Sequence, residues 1–116
     1  MNVRTKIVSL VQGIVPIHPQ VVPQDADFPA AVYTIVSSVP SSVKGMPSLV
    51  NNYRVRIDIY AKTMAEASGI ASIITTTLDN YHDVDYRIHL QDDSDDYEVD
   101  TKLYRISLEF NVRENQ

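Results

Sequence analysis

The chain contains no cysteine and only three glycines in 116 residues. The first absence excludes disulfides, thiolate chemistry and cysteine-ligated zinc, and it fits a reducing compartment. The second leaves neither a GxGxxG nor a GxxxxGK(S/T) string, so a glycine-rich backbone cradle for phosphate is not expected. Long apolar runs are missing too. After Met1-Asn2-Val3-Arg4-Thr5-Lys6 the apolar pattern is broken by Ser9, Gln12 and Gly13, too polar for a signal-peptide core and too short to span a bilayer. A soluble intracellular protein without a membrane partner is the expectation. The Lys and Arg residues form no cluster along the sequence, which argues against a grip on nucleic-acid phosphates.

What is present is one domain's worth of chain, with 44% hydrophobic residues for a single modest core. The net charge of -5 is unevenly placed. Asp92, Asp93, Asp95, Asp96, Glu98 and Asp100 supply six of the fifteen acids, leaving nine acids against ten bases elsewhere.

Val3, Ile7, Leu10, Val11 and Ile14 recur at helical spacing, predicting a helix over 2–12 that Gly13 ends and Pro16 cannot continue. Its polar face carries Arg4, Lys6 and Ser9. Residues 17–27, with Pro19 and Pro23, read as an extended connector or short edge strand. Residues 29–38 are apolar on both faces, the pattern of a strand covered on both sides. Tyr53 to Thr63 alternates apolar with polar for a full strand and then switches to a helical period. Thr63-Met64-Ala65-Glu66 is a capping box, and Ala67, Ile70, Ala71, Ile74 and Leu78 form an apolar stripe suited to lie across a sheet. Two more alternating strands, around 86–91 and 104–113, flank the acidic segment and predict a hairpin with its tip at Asp92 to Glu98. The order α-β-β-β-α-β-β predicts an α+β fold, a mainly antiparallel sheet with two helices packed on it.

Reaction chemistry finds little support. His18, His82 and His89 lie in a connector, after a helix and on a strand's polar side, without metal-ligand spacing. Ser41-Ser42-Val43-Lys44 matches the SxxK string of penicillin-recognising enzymes by chance, in a loop and without SDN or KTG partners. Asp92, Ser94, Asp96 and Glu98 imitate the early ligands of a calcium loop, but Tyr97 stands where that loop needs glycine and Leu103 where it needs glutamate. No cofactor or metal is expected. The stretch from Val39 to Asn52 is the clearest functional feature: it is long for a link between adjacent strands, has no acid, and carries Val39, Val43, Met46, Leu49 and Val50 beside Lys44. Such a segment suits a surface that repacks against a protein partner.

Several of these segments together resemble a known family. They are the Phe28-Pro29-Ala30-Ala31-Val32-Tyr33 strand, the small-residue loop around Gly45, the Arg54 to Thr63 strand leading into Ala65-Glu66-Ala67, and the terminal Leu103 to Phe110 strand. The chain is similar, over nearly its whole length, to the tail-completion or tail-terminator proteins of long-tailed bacteriophages. The resemblance implies a subunit of a hexameric ring at the head-proximal end of the tail tube, assembled in the host cytoplasm. That ring would stop tube growth and dock the head connector or stopper protein, with neither enzyme activity nor cofactor. Its partners would be other copies of itself, the tail tube protein and the connector, while DNA passes through without specific binding. Residues 41–51 would be the family's strand-connecting loop, and Tyr53 and Tyr60 are candidate interface anchors or core residues. The acidic segment has no fixed counterpart in the family. As six tips around the channel, Asp92, Asp93, Asp95, Asp96 and Glu98 would form a negative wall facing DNA. A neck connector of the same virion and a small-molecule-binding regulatory domain are the alternative readings, the latter lacking convergent polar residues for a pocket.

Overall fold

The computed structural model describes residues 3–19, 28–41, 50–99 and 102–115. Their order is α1 (Val3–Val11), β1 (Ile17–Pro19), β2 (Ala30–Ser41), β3 (Val50–Ala61), α2 (Met64–Leu78), β4 (Tyr81–His82), β5 (Tyr86–Glu98) and β6 (Leu103–Asn115). The strands make one sheet in the order β1-β2-β3-β6-β5-β4. All neighbours are antiparallel except β1 and β2. The α+β class and the expected order hold, with the two-residue β4 as an addition.

Strand alternation sorts the side chains onto two faces. The register places Tyr33, Ile57 and Leu108 in one row and Val55, Phe110 and Leu90 in the next. This face forms the core with Ala67, Ala71, Ile74 and Leu78 of α2 and Val3, Ile7 and Val11 of α1. The predicted stripe of α2 is therefore the face that packs, with Ile70 at its margin. Thr63 caps this helix, its Oγ1 accepting the Glu66 N–H at 3.2 Å. At the other end Asp79 fastens the helix to the sheet, its Oδ1 accepting the Leu90 N–H at 3.0 Å. Asn80 (φ 62°) turns the chain into β4 in the left-handed conformation that asparagine tolerates.

The opposite face is polar. It carries Arg54, Arg56, Asp58 and Tyr60 of β3, Arg105, Ser107, Glu109, Asn111 and Arg113 of β6, and Arg87, His89, Asp92, Ser94 and Asp96 of β5. Asp58 is nevertheless buried, accepting hydrogen bonds from Ser107 Oγ and, at 3.2 Å, from Arg56 Nε.

Three expectations change. The segment predicted as a loop from Val39 to Asn52 is paired strand at both its ends, Val39 with Asn52, Pro40 with Asn51 and Ser41 with Val50, while residues 42–49 lie outside the described residues. Among the described residues β1 covers β2 only at Ala31 to Tyr33, so the part of the strand with Pro40 has no outer neighbour there, a place where proline is tolerated. The acidic segment is not a hairpin tip either. Asp92 to Glu98 continue β5 and pair with Glu109 to Leu103 of β6, so the connection begins at Val99. Aspartate is a poor strand former, but pairing to a strongly alternating neighbour outweighs that preference. Finally, among the described side chains β2 is buried on both faces over Ala30 to Tyr33 and less so from Thr34 on, and Val36, the extra residue at the register shift, is 47% exposed.

Candidate functional site

The described residues show no reaction centre, and they contain no group of three His, Cys, Asp or Glu side chains placed to hold a metal. Alternate residues on a strand stand about 6.6 Å apart, so Asp92, Ser94 and Asp96 are splayed along β5 instead of converging on one ion. His82 and His89 line a shallow surface groove with Asn80, Tyr81 and Arg87, while His18 lies in β1. No helix among the described residues is long and apolar enough to cross a membrane.

What the fold does build is a fastening at one end of the sheet. Lys6 of α1 places its Nζ 2.6 Å from Asp83 Oδ2. It also lies over the rings of Tyr81 and Tyr86, 5.2 and 5.9 Å from their centroids. Tyr81 OH donates to the same Oδ2 at 2.8 Å, and the N–H groups of Asp85 and Tyr86 donate to Oδ1 at 2.8 and 2.7 Å. The hydrogen bond from Lys6 holds the Asp83 carboxyl well below the usual carboxylate range against the opposing effect of burial, and Asp83 in turn raises Lys6. Beside it, Tyr86 OH donates to Glu114 Oε2 at 2.8 Å and Tyr53 OH to Glu114 Oε1 at 3.3 Å. Burial first, then the Glu114 carboxylate, push the Tyr86 phenol above its ordinary range.

The candidate interface residues divide accordingly. Val43, Lys44, Met46 and Leu49 lie outside the described residues. Val39 and Val50 belong to the β2–β3 ladder. Tyr53 sits on the core face, tied to Glu114, whereas Tyr60 is half-buried on the polar face opposite Arg105. Of the acidic residues, Asp96 accepts from Arg105 Nη2 at 2.9 Å. Asp92, Asp93 and Asp95 are exposed and make no ion pair with a described residue. Glu98 contributes its backbone to the ladder opposite Leu103.

The sequence gives no sign of a second charged feature, because its members come from different strands. On the polar face Arg87 of β5 stands directly opposite Arg113 of β6, with His89 opposite Asn111 and Arg54 opposite Asn111 on the other side. Arg87 and Arg113 are both exposed and neither has an ion pair with a described residue.

The described residues thus present a strand pair at a sheet edge and a charged sheet face, with Arg54, Arg87 and Arg113 toward one end and Asp92, Asp96 and Glu109 among Arg56 and Arg105 toward the other. The family model described as "Tail completion protein gp17" matches residues 5–115, and the chain belongs to this family of virion structural proteins. It is a structural tail protein. No curated protein matches the sequence. Among solved structures it is similar to a chain from the virion of the native gene transfer agent particle. That match has 14% identity and a TM-score of 0.61 over 95% of this chain and 84% of that one, a likeness of fold.

Proposed function

We propose that the protein forms a ring on the head-proximal end of the phage tail tube, where it ends tube polymerisation and offers the docking surface for the head connector. The observation that carries this reading is the incomplete cover of both sheet edges. Among the described residues β1 pairs only with Ala31 to Tyr33 of β2, and β4 only with Arg87 and Ile88 of β5. Beyond them β2 from Thr34 and β5 from Gln91 have no strand neighbour on their outer sides among the described residues. Two open edges on opposite sides of one sheet suit a subunit with a neighbour on each flank, and such edges are otherwise an association hazard.

In this reading the β2–β3 hairpin reaches the tube or the neighbouring subunit. Val39, Val43, Lys44, Met46, Leu49 and Val50 supply the contact, with Tyr53 and Tyr60 as further anchors toward the two ends of β3. Termination follows from asymmetry: one face of the ring accepts the last tube ring, and the other lacks the edges a further tube subunit would need. The test is the mass of the purified protein by light scattering behind a sizing column, alone and with tail tubes. A ring, or a monomer that becomes tube-bound at one end, is the expected result. A strict monomer that ignores tubes contradicts it, and binding to the head vertex instead would assign the protein to the neck connector.

A further inference from the structure

Two pairs of like charge face each other across the same two strands on the polar side of the sheet: Arg87 opposite Arg113, and Asp92 opposite Glu109. Like charges directly opposite are destabilising in an isolated sheet. Glu109 has relief from Arg54, at 3.3 Å. Arg87, Arg113 and Asp92 have no ion pair with a described residue, and neither have Asp93 and Asp95, which stand on the other face of β5 across from Leu108 and Ile106, so that acids flank both sides of a strand with no outer neighbour among the described residues. The two poles cannot neutralise one another within one subunit. From Arg87 to Asp92 the strand advances about 16 Å at the usual rise, beyond the screening length of about 8 Å at physiological salt.

We infer that the basic cluster of Arg54, Arg87 and Arg113 receives the carboxylates of Asp92, Asp93 and Asp95 from a second copy of the chain. This rests on the ring reading and assigns its subunit contact. The charge complementarity is on the molecule itself, and two different patches permit the heterologous, head-to-tail contact that a closed ring requires. The acids stand on both faces of a strand whose outer edge no described residue covers, open to an edge-on approach, while the basic cluster lies on the polar sheet face. The carboxylates thus have a protein partner in place of the DNA-facing role expected from sequence. Arg87 and Arg113 thereby gain acids they lack at home, while Arg54 already holds Glu109. Such pairs fix register and partner choice and speed encounter more than they add affinity.

The test uses charge reversal in the full chain: R87E/R113E, D92K/D95K, and the variant combining all four, with wild type as reference, measured by light scattering behind a sizing column with tail tubes present and absent. Circular dichroism checks that each variant folds, which exposed positions should permit. Each double variant alone should need at least about tenfold more protein to assemble than wild type. An equimolar mixture of the two should assemble, since subunits with two acidic patches alternate with subunits with two basic ones, and the combined variant should assemble by itself. Wild-type rings with double variants that assemble equally well would overturn this contact and leave the ring reading standing. A wild type that never forms rings would overturn both. Loss of duplex DNA retention in R87E/R113E with unchanged ring formation would make a polyanion the occupant and overturn the inference.

Discussion

Lys6 and Asp83, far apart in sequence, meet at 2.6 Å and lock the first helix to the turn that opens β5. The side chains keep 16% and 30% of their exposure, so solvent screens the pair. Its value lies in the shared acceptor, because Asp83 also receives Tyr81 OH and two backbone N–H groups. Asp83→Ala should cost about 1–3 kcal/mol through the donors it strands, and Lys6→Met about 1 kcal/mol or less. The Asp83 carboxyl is depressed, so its contribution is fully present above the unfolded carboxylate value near 4 and is lost as pH falls below it. Urea unfolding at a series of acidic pH values should show this loss in wild type and a flatter profile in Asp83→Asn.

Tyr86 acts at the alkaline limit. Its phenol is raised by burial and by Glu114, so its contribution is complete below the ordinary tyrosine value near 10 and declines as pH rises above it. Ultraviolet titration should find one of the seven tyrosines ionising only as the protein unfolds. Tyr86→Phe should abolish that late step and cost about 1–2 kcal/mol, measured by urea unfolding at neutral pH.

On the polar face, Asp58 is buried between Ser107 and Arg56. Asp58→Ala removes the acceptor for both and should cost about 1–3 kcal/mol. Ser107→Ala removes only a neutral donor and should cost less. Denaturant midpoints of the two variants check the order.

Lys102 holds φ 59° at the turn between β5 and β6, a conformation unfavourable for a side chain with a Cβ. Lys102→Gly should therefore stabilise the protein by about 0.5–1 kcal/mol. A thermal scan that showed destabilisation would mean that the lysine side chain has a role of its own in this turn.

Thr63→Ala removes the acceptor for the Glu66 N–H and should cost about 1 kcal/mol. Thr63→Ser should restore most of that loss in the same thermal scan.

Local signals in the sequence are enough for α2 and its cap, for β3 and β6 with their strict alternation, and for the mainly antiparallel order. Each depends on periodicity within a single segment. Where pairing partners decide, local reading fails. Asp92 to Glu98 resemble a solvated turn, and become strand because β6 offers a continuous ladder. Val39 to Asn52 resemble a loop, and their ends become a hairpin because β2 and β3 keep pairing past the bulge near Val36. The fastening of Lys6 and the cluster of Arg87 with Arg113 arise from register between distant segments, which leaves no mark in the spacing of residues along the chain.

The most direct test of tube capping adds the purified protein to polymerising tail tube protein and follows tube length and end occupancy by electron microscopy. Growth should stop, with a ring of this protein at one end of each tube. Unchanged growth with bare ends, or protein bound along the tube wall, would contradict it.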